Sequence, residues 1–122
     1  MSSALRLEAA SELQLVTGLE TVMSRRDAIL LSQIRQNLSL QCAAQITGIG
    51  YRQAMARLRE MNAFVGQPLA TSRQGGLQGG GSRLTPVGEK ILGLYQDAAR
   101  EHQVWLGDLN QRLRPELAWT LG

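Results

Sequence analysis

Three observations in this 122-residue sequence predict a mainly α fold with a small β-hairpin wing: a winged helix-turn-helix carrying a long C-terminal helix. Apolar residues recur at helical spacing in three runs between Ser24 and Asn62, and a glycine-bearing turn precedes the third. Two β-prone segments then flank a stretch with five glycines in the seven positions from Gly75 to Gly81. Last, Pro86 stands at a first helical position and opens an alternation of four and three that holds to about Leu109. The length fits one domain. It divides into residues 1–84 for the winged unit with its N-terminal arm (wing about 67–84), 85–113 for the long helix and 114–122 for a tail.

Leu13-Gln14-Leu15-Val16 alternates and stops at Thr17-Gly18, as a short strand does. Ser24 caps the first helix, with Asp27 three residues on in its first turn. Ala28, Ile29, Leu30, Leu31 and Ile34 form its apolar stripe, and Asn37 ends it. Ser39 caps a second helix, Leu40 to Thr47. In it Ala43 and Ala44 are small enough for close helix approach, and Cys42 reads as a small buried apolar residue. Gly48 can take the positive φ that ends this helix, and Ile49 pins the turn to the core. The third helix, Tyr51 to Asn62, docks through Ala54, Leu58 and Met61. That leaves Gly50, Tyr51, Arg52, Gln53, Met55, Ala56 and Arg59 as candidate DNA contacts, because the N-terminal half of such a helix enters the major groove.

Gln67 to Ser72 and Arg83 to Thr85 read as the strands of a hairpin, with the glycine run as a loop too long for a two-residue turn. Glycine lets a backbone lie close to phosphates and donate its N–H groups to them. The candidate contacts of this wing are Arg73, Gly76, Gln78, Gly79, Gly80 and Arg83. A nucleotide-binding phosphate loop fails on one residue: in the frame Gly75 to Ser82 the required lysine falls at Gly81. A plain flexible linker is the other alternative.

Charge separates the middle of the chain from its flanks. Eight arginines stand against Asp27 and Glu60 between residues 25 and 83, a local balance of +6 within a total of +3. Arginine suits planar, bidentate contact with phosphate and guanine, so the partner expected is a polyanion, duplex DNA. One cysteine excludes an internal disulfide, and no apolar run approaches the roughly 18 residues of a membrane span. A cytoplasmic protein with no membrane partner is expected. No paired acids, nucleophile–base arrangement or metal spacing occurs, so no enzyme, metal or cofactor is expected. His102, the lone histidine, reads as a seam or surface residue.

From Arg25 to Tyr95, about seventy residues, the sequence resembles the N-terminal DNA-binding domain of molybdate-dependent (ModE-type) transcriptional regulators, similar in turn to LysR-type domains. The resemblance is carried by Arg25-Arg26, Ala44, Gly48-Ile49, Tyr51 and Glu60-Met61-Asn62. It continues through Pro68-Leu69 and the wing, with Gly75-Gly76, Gly79-Gly80-Gly81, Leu84-Thr85 and Gly88. Three positions depart from the family. Gly50 replaces a capping serine, Met55 a tryptophan of the reading helix, and Leu77-Gln78 stand where the glycine run usually holds a lysine. The resemblance implies a sequence-specific transcription regulator that binds duplex DNA as a homodimer. The family's molybdate-binding region is not expected within these 122 residues. A protein-interaction winged helix, or a DNA-binding subunit with a separate effector-binding protein, are the alternatives. The final helix is too long to pack wholly on so small a domain. Its seam residues Ile91, Tyr95, Ala98, His102, Trp105 and Leu109 are therefore expected at the dimer interface.

Overall fold

The computed structural model describes residues 7–72 and 81–121, with side chains as far as Pro115. The element order is β1 (Leu15–Thr17), β2 (Glu20–Met23), α1 (Arg25–Asn37), α2 (Leu40–Thr47), α3 (Tyr51–Val65), β3 (Ala70–Ser72), β4 (Ser82–Leu84) and α4 (Pro86–Leu121). This is a mainly α winged helix-turn-helix with a two-stranded wing and a long last helix, the fold class expected. Its core gathers Met23, Leu30, Leu31, Ile34, Leu40, Leu58, Met61, Leu69 and Leu92, all fully buried.

Local chemistry explains the first two helices. Ser24 and Asp27 make a reciprocal capping box: the Ser24 hydroxyl accepts from the Asp27 N–H at 3.2 Å, and the Ser24 N–H donates to Asp27 Oδ2 at 2.9 Å. Ser39 caps α2 by accepting from the Cys42 N–H at 3.2 Å. At the end of α2, Gly48 has φ +83° and donates its N–H to the Ala44 carbonyl at 2.9 Å, while the Ile49 N–H reaches the same carbonyl at 3.0 Å. Ala43 and Ala44 are buried, as close packing of α2 requires.

Four expectations change. A second N-terminal strand, β2, pairs antiparallel with β1 around Gly18 and turns the expected single strand into a hairpin. α3 continues three residues past Asn62 to Val65 and ends at Gly66, which has φ +83°. Asn62 serves instead as an acceptor, its Oδ1 taking the Leu69 N–H at 2.9 Å. The first wing strand is shorter than expected and the second is displaced by one residue, pairing Ala70 with Leu84 and Ser72 with Ser82. Finally, α4 does not stop before Pro115; it runs through that proline to Leu121, so residues 114–121 are helix rather than tail. A proline removes one backbone bond and crowds one carbonyl, which a helix already propagating can absorb as a local distortion. Two side chains also differ: Cys42 is exposed, and Ile29 is 38% exposed on the outer edge of α1.

The root of α4 is fixed to the residues that lead into β3 by a tight junction. The Thr85 N–H donates to the Leu69 carbonyl at 3.0 Å, and the Thr85 hydroxyl donates to the Pro68 carbonyl at 2.8 Å. The same hydroxyl accepts the Gly88 N–H at 3.0 Å, capping α4. A Cβ on Gly88 would lie 2.1 Å from the Leu69 oxygen, so only glycine lets the helix and the strand meet here.

Candidate nucleic-acid interface

The turn between α2 and α3 sets the azimuth of α3. Ala54, Leu58 and Met61 are buried against the core, leaving Arg52, Gln53, Ala56 and Arg59 exposed on the outer face. Arg52, Ala56 and Arg59 are spaced four and three apart and so share one helical face. Tyr51 and Met55, expected on that face, are half-buried and packed against the core, and the Tyr51 hydroxyl is buried. Both therefore act first as packing for α3. Gly50 is its N-cap, exposed and with no side-chain capping bond. Arg83 is exposed on β4 at the wing base. Arg73, Gly76, Gln78, Gly79 and Gly80 lie outside the described residues.

The eight arginines of the basic middle are not equivalent. Arg57 is spent internally. Its Nε donates to Asp27 Oδ1 at 2.9 Å, its Nη2 to Asp27 Oδ2 at 2.6 Å and to the Val22 carbonyl at 3.3 Å, and its Nη1 to Glu60 Oε2 at 2.7 Å. Asp27 is 4% exposed and also belongs to the α1 capping box, so one guanidinium ties α3 to the start of α1 and the end of β2. Burial alone would push the Asp27 carboxyl up, but the bonds from Arg57 and Ser24 outweigh it and hold it below its ordinary value. The hydrogen bond to Asp27 raises Arg57 in turn, against its own burial. The Glu60 partner, three residues along α3, is legible in sequence; Asp27, thirty residues away, is not.

Arg25 and Arg35 make exposed ion pairs with Glu12 and Glu89, at 4.0 Å and 3.3 Å. Such pairs are weak and yield readily to another anion. Among the described residues, Arg26, Arg52, Arg59 and Arg83 have no acidic partner within 4.0 Å. These four are the cations best placed to meet a phosphate backbone, in three places: the start of α1, the outer face of α3 and the wing base.

The expected seam of α4 is divided. Tyr95 is 5% exposed, and its hydroxyl donates to the Leu13 carbonyl at 3.0 Å, so it belongs to the core of its own chain. His102 Nε2 is 2.7 Å from the Ser11 hydroxyl, its ring stacked on Trp105. Ile91, Ala98 and Leu109 are half-buried, while Trp105 is 52% exposed. Leu94 and Val104, not expected in the seam, are also exposed. No described helix is long and apolar enough to cross a membrane, and no described group of three or more His, Cys, Asp or Glu could hold a metal.

A helix-turn-helix, a two-stranded wing and a basic outer face on the second helix of the motif define a winged-helix protein. No protein-family model matches the chain. It is nonetheless a homologue of the ModE-type transcriptional regulators. It is 32% identical over 103 residues to the molybdenum transport protein ModE of Azotobacter vinelandii, covering 84% of this chain and 38% of that protein. It is 36% identical over 73 residues to the molybdenum-pterin-binding protein MopB of Rhodobacter capsulatus, covering 60% and 27%. With the transcriptional regulator ModE of Yersinia pestis it shares 36% over 70 residues, 57% and 27%. The chain thus spans less than two fifths of the length of each of these relatives.

Proposed function

We propose that this chain is a sequence-specific duplex-DNA-binding unit of a transcription regulator, acting in the cytoplasm as a homodimer. The observation that carries the reading is the face Arg52–Ala56–Arg59, held outward by a buried Ala54–Leu58–Met61 stripe and flanked by Arg83 on the wing. Arg52 and Arg59 reach base edges or the groove walls; Arg26 and Arg83 take phosphates on either side. For the dimer, Tyr95 and His102 leave the proposed seam, because both are engaged within the chain. The seam becomes the adjoining stripe of Ile91, Leu94, Ala98, Trp105 and Leu109. The relatives' names carry regulation and molybdenum; regulation is the part that this arrangement of side chains supports here.

The test is binding to duplexes selected by the protein itself from a random library, followed over salt concentration. Six to eight phosphate contacts per dimer give a slope of log K against log salt of roughly −5 to −7. A flat slope, or no selected duplex at low salt, would favour a protein-interaction winged helix instead.

A further inference from the structure

The segment from Ala9 to Val22 is held at both ends by polar groups whose geometry is directional. At one end stands Asn110, 9% exposed in the distal half of α4. Its Oδ1 accepts the Ala9 N–H at 2.7 Å and its Nδ2 donates to the Ala9 carbonyl at 3.0 Å, so one side-chain amide completes both main-chain groups of one residue. Two residues on, the Ser11 hydroxyl meets His102 Nε2 at 2.7 Å. Two further on, the Leu13 carbonyl accepts from the Tyr95 hydroxyl at 3.0 Å. Alternate residues of the arm thus face α4, at positions that descend the helix from its distal half toward its root. The chain then turns through β1 and β2, and at the far end the Val22 carbonyl accepts from Arg57 of α3.

The anchor chemistry is not what packing alone would select. An apolar side chain at position 110 would fill the same space without the cost of burying an amide. What the amide adds is register: it accepts one offset between arm and helix and rejects the others. Arg57 does the same at the other end, because its remaining nitrogens are committed to Asp27 and Glu60.

We infer that residues 9–22 form a strap that registers the reading helix α3 against the distal half of α4, with Asn110 and Arg57 as the positioning residues at its ends. The inference rests on the reading of α3 as the DNA-contacting helix. It makes the distal half of α4 an input to DNA recognition, acting on α3 through the strap and its anchors. A displacement there that breaks the Asn110 clamp frees the arm, unseats Val22 and loosens the guanidinium that ties α3 to α1 and β2.

Spatial continuity does not by itself establish coupling, so the test must read Arg57 when Asn110 is altered. Asn110→Leu removes both bonds to Ala9 and keeps the branched shape of the side chain. In the DNA-free protein, the Arg57 Nε–H signal reports by NMR how firmly the guanidinium is held on Asp27, and its exchange with solvent is expected to accelerate at least tenfold. On a duplex selected by the wild type, discrimination against a scrambled duplex is expected to fall about three- to tenfold, with affinity for the scrambled duplex unchanged. Val87→Ala, which trims the core side of the α4 root, is the control: it lowers stability and leaves the Arg57 signal in place. Should Asn110→Leu fail to fold, Ala9→Pro deletes a single N–H of the clamp and takes the same readouts. An unchanged Arg57 signal alongside lost protection of the Ala9 amide overturns the strap, as does an equal effect from Val87→Ala. Failure to select any duplex overturns DNA reading instead, and the Arg57 exchange rate still decides the strap.

Discussion

α3 and α4 carry the same signature, apolar residues alternating at three and four, and the molecule uses them differently. The stripe of α3 is buried within its own domain, and the opposite face is polar and open. α4 is divided lengthwise. Gly88, Leu92 and Tyr95 turn inward, His102 and Asn110 receive the arm, and Leu94, Val104 and Trp105 stay outside. α3 is gripped by its own domain through that stripe and tied to α1 and β2 by one arginine; α4 is locked at its root and strapped further along. Apolar spacing reports that a face will be covered, and not by whom.

The sharpest way to break this comparison is at the root of α4. Gly88→Ala drives a methyl into the Leu69 carbonyl and is expected to cost about 3 kcal/mol in denaturant unfolding, since backbone rather than a side chain must move. Gly107→Ala in the same helix meets nothing within 4 Å and should gain about 0.5–1 kcal/mol from helix propensity. Equal effects from the two would erase the distinction between a locked root and a free shaft.

On α3 the corresponding lesion is Asp27→Asn, which leaves the partly buried Arg57 with only the exposed Glu60 as counter-charge and removes one cap partner. A loss of about 2–4 kcal/mol is expected. The sign of the pH effect follows from the lowered carboxyl. Its stabilisation is full above its ordinary value of 3.8 and fades as pH falls below that toward the depressed folded value. Thermal melts between about pH 2.5 and 6 should therefore fall more steeply below about pH 4 for the wild type than for Asp27→Asn. Parallel curves would show that Arg57 does not act through this carboxylate.

DNA binding sharpens the comparison between the reading face and its flank. Arg52→Ala should cost about 1–3 kcal/mol and relax preference between sequences, whereas Arg83→Ala should weaken all duplexes alike. Titrations of both variants on selected and scrambled duplexes separate the two; the same loss on every sequence would remove α3 from the reading role. The smallest effect is expected at the start of α3. Gly50 has φ −69° and ψ 153°, and a Cβ there would meet nothing within 4 Å, so serine fits and can cap. Gly50→Ser should add a few tenths of a kcal/mol, about 1–2 °C in melting temperature.

What the sequence disclosed was local. The caps at Ser24 and Ser39, the turn at Gly48 and the docking stripe of α3 depend on neighbours within a few residues, and each stands where it was expected. β2 was not legible, because Glu20-Thr21-Val22-Met23 becomes a strand through pairing with β1 rather than through its own pattern. The role of Arg57 depends on Asp27 and Val22, far away in sequence, so counting charge alone placed it in the basic balance of the middle segment. Tyr95 and His102 fit a seam by spacing; the arm that claims them begins more than eighty residues earlier. Cys42 sits beside two buried alanines but one step around the helix from them, where solvent replaces the core.

Thirty-six residues of continuous helix make α4 a ruler about 54 Å long, graduated at 1.5 Å and 100° per residue. In the proposed dimer, that ruler sets both the separation and the phase of the two reading heads. One residue inserted between the root and Trp105 would swing a head by about 100° and take the two out of register on a straight duplex. Seven would restore the phase to within about 20° and move a head outward by about 10 Å, close to three base pairs of DNA rise. In that proposed dimer the spacing of the half-sites would follow from the length of a helix that itself touches no base.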